Sequence, residues 1–227
     1  LAAIVLASAA HNAYDSRQQC RSLDHDFEPR SHSHHPCRQR EAGESYEAAL
    51  LDAEMEKAIR HVVAKQKEAG IDIGNDGEQQ RVGFQTYVPQ RMSGFGGESK
   101  RRRGREFEEF PELVSYLTRR FPNVSRQQNA PQAVGELHYH DTSAIESEIA
   151  RYQRVAAEGT PFAESFMTAP SPGIIASTML NAHYATNEDY LAALAREMRH
   201  EYQAIHKAGL VLQIDAPDLA MDRTMFY

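Results

Sequence analysis

Hydrophobic positions fall into a regular spacing only after about residue 45. Leu51, Met55, Ile59, Val62 and Val63 recur on one face of a predicted helix, and Gly70 stands where a left-handed residue would stop it. Ile71-Asp72-Ile73 then predicts a short buried strand ending near Asn75. From Gly77 to about Arg105 the chain is glycine-rich and reads as a long loop. Pro111 opens a helix predicted to reach Arg120, since a missing N–H goes unnoticed in a first turn. Ala133–Tyr139, carrying Val134, Leu137 and Tyr139, predicts the next strand. Ser143-Ala144-Ile145-Glu146 has the form of a capping box. The helix it opens is expected to run to about Glu158, with Ile145, Ile149, Tyr152 and Val155 on one face. Phe162–Thr168 predicts a third strand, ended by Ala169-Pro170-Ser171-Pro172. Thr186–Asp189 caps a further long helix, with Tyr190, Leu191, Leu194, Met198 and Tyr202 inward and Gly209 as its stop. Leu210–Ile214 is the clearest strand, and it runs into Asp215.

Strands alternating with long helices imply parallel pairing through crossovers, hence an α/β fold. An open doubly wound sheet has the same alternation, so periodicity alone does not select a barrel. No glycine fingerprint of the dinucleotide-binding kind follows a strand, which disfavours that alternative.

Residues 1–42 show no period and are expected to be irregular or disordered, or a start read in the wrong frame. Leu1–Ala10 is apolar and alanine-rich, and Ala7-Ser8-Ala9 resembles a signal cleavage site, but no basic segment precedes it. Cys20, Cys37, His25, His32, His34 and His35 fit no zinc template, so no metal ligand is expected there.

With 227 residues, 41% of them hydrophobic, a single domain (residues 43–227) is expected to hold the core. No long uncharged apolar run offers a membrane span. A formal charge of -7 argues against general binding to nucleic acid. The two cysteines leave the cytoplasm as the default compartment.

Chemistry gathers after the predicted strands: Asp76 and Glu78, then His138, His140 and Asp141, then Thr168 and Ser171, then Asp215. In parallel α/β folds, strand C-termini hold the functional site. Singly, each residue has an ordinary reading. Asp141 would cap the next helix, Thr168 would satisfy a backbone group, and a histidine at a strand edge is more often structural. Recurrence at four strand ends favours a site, with His140, Thr168 and Ser171 as substrate-binding candidates.

Four stretches carry a resemblance. Gly70-Ile71-Asp72-Ile73 leads into Asp76-Gly77-Glu78-Gln79, and Phe84-Gln85-Thr86-Tyr87-Val88-Pro89-Gln90 follows. Further on stand Phe166-Met167-Thr168-Ala169-Pro170-Ser171-Pro172-Gly173 and Gln213-Ile214-Asp215-Ala216-Pro217-Asp218-Leu219-Ala220. From about Arg38 to Tyr227 the chain resembles the C-terminal catalytic barrel of the cobalamin-independent methionine synthase family. The resemblance implies a (β/α)8 TIM barrel, here incomplete, of which this chain would be about the first half. It also implies a methyltransferase of methionine biosynthesis, moving a methyl group from a folate-type donor to a homocysteine-like thiol activated as a zinc thiolate.

By the same resemblance, Glu78 of the G-E motif and Asp215 of the Q-I-D-x-P motif hold the amino group of the thiol substrate. Barrel closure would bring both carboxylates to one mouth, where charge-assisted hydrogen bonds grip an ammonium group. The family's next glutamate is Ala216 here, and its opening H-V-G-S-type motif is not recognisable. The implied zinc ligands, a His-x-Cys pair, a glutamate and a later cysteine, are expected beyond Tyr227, and neither Cys20 nor Cys37 is placed to replace them. No metal ligand and no catalytic residue is therefore assigned within the chain. Lys100–Arg105 reads as a solvated loop; its functional reading is that Arg101, Arg102 and Arg103 receive a folate polyglutamate tail, since guanidinium groups bind carboxylates bidentately. Expected partners are small molecules, a thiol amino acid and a folate-type donor, with neither nucleic acid nor membrane. The alternatives are a thiol alkyltransferase or a uroporphyrinogen decarboxylase-like relative of the same superfamily, or a catalytically inactive fragment.

Overall fold

A computed structural model describes residue 45 and residues 47–99, 109–120, 130–140 and 142–220. The early histidines and cysteines, Arg101–Arg103 and Asp141 lie outside the described residues. In chain order the elements are α1 (Ala48–Glu68), β1 (Ile73–Gly74), a 3-10 turn (Val88–Gln90), β2 (Met92–Gly96), α2 (Pro111–Arg120), β3 (Gln132–Tyr139), α3 (Ser143–Ala156), β4 (Glu164–Pro170), α4 (Pro172–Thr178), α5 (Asn187–Lys207) and β5 (Val211–Asp215). They divide into two compact units. Among the described residues the strands form a three-stranded sheet, ordered β1-β4-β5, and a two-stranded sheet, β2-β3, with no closed barrel. No described helix is long and apolar enough to cross a membrane.

The first unit comprises Leu1–Phe84, Thr142–Ala169 and Glu201–Ile214. Its core joins Ile59 and Val63 of α1, Ile145, Ile149, Tyr152 and Val155 of α3, Met167 and Ala169 of β4, and Ile205 and Leu210. The spacing of these residues puts one apolar stripe on each helix, and burial of that stripe is the main stabilising term. Both long helices stop as their glycines predict. The amide of Gly70 (φ 74) donates to Lys67 O and that of Ile71 to Gln66 O, and Gly209 (φ 77) and Leu210 repeat the pattern on His206 and Ile205. Helix α3 departs from its predicted capping box. Thr142, not Ser143, is the N-cap, and its hydroxyl bonds the Glu146 carboxylate instead of the backbone.

The first strand also differs from expectation. β1 pairs in parallel with β4, placing Ile73 opposite Glu164 and Gly74 opposite Ser165, but it is two residues long. Ile71 and Ile73 are 47% and 48% exposed rather than buried. Side chains alternate along a strand, and Gly74 takes the inward position. A Cβ there would lie 2.2 Å from the Phe162 ring, so the ring fills the space an isoleucine would need.

The second unit comprises Gln85–Asp141, Pro170–His200 and Asp215–Tyr227. Part of the expected long loop is here the 3-10 turn and β2, and β2 pairs antiparallel with β3, against the expectation of parallel pairing. Gly94 explains why a strand stands where a loop was expected. The register shifts between Ser93 and Phe95, and Gly94 has φ 91, with the Glu136 carbonyl oxygen 2.5 Å from where its Cβ would be. A glycine that reads as a loop residue thus permits a bulge and a close backbone approach. The proline run after Thr168, read as a stop, belongs partly to β4 and partly to α4. On α5, Thr186 Oγ1 accepts from the Asp189 amide at 3.0 Å, as predicted. Tyr190, Leu194 and Met198 are buried; Leu191 is 37% exposed, and Tyr202 is half-buried.

Candidate functional site

The segment after β1 is shaped by its own side chains. Gln66 and Asn75 exchange hydrogen bonds, Gln66 Nε2 donating to Asn75 O at 3.1 Å and Asn75 N to Gln66 Oε1 at 3.0 Å. Asn75 Oδ1 accepts from Gly77 N at 2.9 Å, and Asp76 Oδ1 from Glu78 N at 3.0 Å, two Asx turns in succession. These turns carry Gly77 (φ 62) and Glu78 (φ 58) into left-handed backbone. For glutamate that conformation costs roughly 1–2 kcal/mol.

Glu78 is buried, and its Oε1 accepts from the Thr168 hydroxyl at 2.7 Å. Arg81 extends the network. Its Nη1 donates to Thr168 O at 2.9 Å and reaches Thr168 Oγ1 at 3.4 Å, and its Nε donates to Glu148 Oε2 at 3.2 Å. Its Nη2 stands 3.7 Å from Glu201 Oε1, an ion pair rather than a hydrogen bond. Gln80 Nε2 donates to Asp76 Oδ2 and to Glu148 O, both at 3.1 Å, and Gln80 Oε1 accepts from Arg151. A buried charge is tolerable when it is paired and hydrogen-bonded. Residues of α3, β4, α5 and one loop supply this for Arg81 Nε and Nη1, while Nη2 lacks a hydrogen bond and faces Glu201 as an ion pair.

In the second unit, Ser171 caps α4. Its Oγ accepts from Ile174 N at 3.1 Å and donates to Asp218 Oδ1 at 2.7 Å, and its amide donates to Asp215 O at 2.9 Å. Asp215 is buried at the end of β5. His140 is exposed beyond β3, its amide donating to Arg91 O at 2.9 Å. The structure therefore joins Glu78 to Thr168 through side chains and Ser171 to Asp215 through backbone. His140 is an exposed residue just past β3 of the antiparallel sheet.

Sequence reading missed Arg81, Glu148 and Glu201, although the two glutamates left a signal. Glu148 sits in the stripe of Ile145, Ile149 and Tyr152, and Glu201 between Met198 and Ile205. Charged residues on inward helical positions demand a buried counter-ion.

Among the described residues no group of three or more His, Cys, Asp or Glu side chains is arranged to hold a metal ion, and none of these residues is a cysteine. They do not fit a zinc-thiolate site.

An α/β unit with a parallel strand pair and functional groups at strand ends defines a fold class, and solved structures share it. No protein-family model matches the chain, and no curated protein matches it. A B12-independent methionine synthase from a Shewanella species, solved in complex with selenomethionine, is similar with a TM-score of 0.57 and 20% identity, over 78% of this chain and 45% of that one. A Listeria monocytogenes protein assigned as a vitamin-B12-independent methionine synthase is similar with a TM-score of 0.51 and 19% identity, over 94% of this chain and 49% of that one. The chain thus spans about half the length of the structures it matches. At this identity the likeness shows a methionine synthase-like fold.

Proposed function

We propose that this chain carries part of the substrate site of a methionine synthase-type methyltransferase, in which Glu78 receives the ammonium group of an amino-acid thiol. The intact reaction in this reading moves a methyl group from a folate-type donor to a homocysteine-like thiol. The observation that carries it is the buried Glu78 carboxylate held by the Thr168 hydroxyl, in a fold shared with an enzyme solved with selenomethionine. An ammonium group only donates hydrogen bonds, so it needs acceptors, and an ionised carboxylate both accepts and offsets its charge. Because hydrogen bonds already hold Glu78, little ordering cost falls on ligand binding. Asp215, Ser171 and His140 are assigned to the substrate, and Arg101, Arg102 and Arg103 to a polyglutamate tail, on sequence grounds.

The test is calorimetric titration of the chain with methionine, homocysteine and their des-amino analogues. The amine-bearing ligands are expected to bind at least about tenfold more tightly, the scale of one hydrogen bond to a charged group. Glu78→Gln should abolish that preference. Equal affinity for both ligand types, or a preference that survives Glu78→Gln, overturns the reading.

A further inference from the structure

We infer that Arg81 is a positioning residue, which directs the Thr168 hydroxyl and through it orients the Glu78 carboxylate toward the substrate's ammonium group; this rests on the role proposed for Glu78. A guanidinium group donates and never accepts. Arg81 Nη1 is fixed by its 2.9 Å bond to Thr168 O, and the same nitrogen faces Thr168 Oγ1 at 3.4 Å. Thr168 Oγ1 therefore presents a lone pair to Arg81, and its proton must point elsewhere. Glu78 Oε1, at 2.7 Å, takes that proton. The order Arg81, Thr168, Glu78 runs one way, and its end is a carboxylate acting as acceptor.

The rest of the guanidinium explains how the direction is held. Nε faces Glu148 on α3 and Nη2 faces Glu201 on α5, so two helices set the plane of the group from separate elements. These two carboxylates also offset the arginine charge. The Thr168 hydroxyl meets Glu78 at Oε1. Lysine would keep the charge but not the fork, because an ammonium is a point charge on a flexible stem.

A purely structural Arg81 would hold the core and leave ligand preference untouched. The discriminating quantity is therefore the ratio of affinities for methionine and its des-amino analogue, methylthiobutanoate, measured on the full chain. Thr168→Ser keeps the hydroxyl and should keep the wild-type ratio. Thr168→Val should weaken methionine binding about tenfold and leave the analogue unchanged, the scale of one charge-assisted hydrogen bond. Arg81→Lys should lose most of the same preference with an unchanged circular dichroism spectrum. The double variant should be no worse than Thr168→Val, since residues acting in series are not additive. If Thr168→Val and Arg81→Lys keep the wild-type ratio while Glu78→Gln abolishes it, the relay is overturned and the role of Glu78 stands. If the wild-type chain binds neither ligand, or does not tell them apart, the role of Glu78 falls and the relay with it. Should Arg81→Lys unfold, the Thr168→Ser and Thr168→Val pair still decides.

Discussion

Arg81→Met removes a cation from between two buried carboxylates and puts an apolar side chain of similar length in its place. The Arg81 side chain is 1% exposed, that of Glu148 9% and that of Glu201 0%, so water cannot easily replace the lost guanidinium. Removing one partner of a buried pair typically costs about 3–5 kcal/mol. Two carboxylates lose a partner here, and the Thr168 carbonyl loses a donor at 2.9 Å, so the upper end of about 5 kcal/mol is expected. Total stabilities of domains are about 5–15 kcal/mol, so the variant should stand close to unfolding without denaturant. Urea unfolding followed by circular dichroism gives the comparison, with an unchanged slope showing that the midpoint shift is a stability change. Adding Glu148→Gln and Glu201→Gln to Arg81→Met removes the stranded charges and should recover roughly half of the loss or more. A single-variant loss below about 1 kcal/mol, the range of exposed pairs, would refute the reasoning. So would a triple variant no more stable than the single one.

Gly94→Ala should destabilise the β2-β3 pairing by about 1–3 kcal/mol, because φ 91 and a Cβ 2.5 Å from Glu136 O both oppose a side chain. Unchanged hydrogen exchange across β2 and β3 would show that the bulge is not as described. Glu78→Gly should be more stable than Glu78→Ala by about 1 kcal/mol, since both lack the carboxylate and only alanine resists φ 58; equal urea midpoints would contradict the left-handed backbone. Tyr190 donates to Met179 O at 2.7 Å, and burial pushes its phenol well above the usual pKa of 10.0. The folded state then favours the neutral phenol, so this stability is full below about pH 10 and is lost as pH rises beyond it, where the unfolded chain releases its proton first. Tyr190→Phe should flatten that alkaline decline in urea midpoints, and parallel curves for variant and wild type would exclude Tyr190 as its source.

The helices were legible because their signals are local. The apolar stripes of α1, α3 and α5 repeat along one face, and Gly70 and Gly209 mark left-handed stops that few other residues tolerate. The strands were less legible where glycine did two jobs. Gly94 looks like a loop residue and serves a bulge, and Gly74 displaces the burial of Ile73 to the exposed side. The short helix α4 hid behind two prolines that also read as a strand stop. In the site, Glu78 and Thr168 could be named from their places near strand ends, but not their mutual bond. Arg81 lies 67 residues from Glu148 in sequence, and no local spacing connects them. What the sequence did hold was the demand, two glutamates on apolar helix faces, without the address of the residue that meets it.

The polar cluster stands in contrast to the rest of its own unit, where Ile59, Ile149, Tyr152 and Met167 pack without charge. Well-packed apolar residues in place of a buried ionic network are often neutral or stabilising, by about 1–4 kcal/mol. Glu78 adds a backbone cost, since a glycine would adopt φ 58 without strain. Stability alone would therefore not select a glutamate at this turn, nor two further glutamates around one arginine. Strained backbone and buried charge that coincide in one cluster motivate the binding role proposed for Glu78. The Asx turn from Asp76 holds the Glu78 amide, and Thr168 holds its carboxylate, so the strained conformation is fixed from both ends. That double restraint is consistent with the role proposed for Glu78: mobility is removed from a residue that would otherwise need to be ordered when the proposed cationic ligand binds.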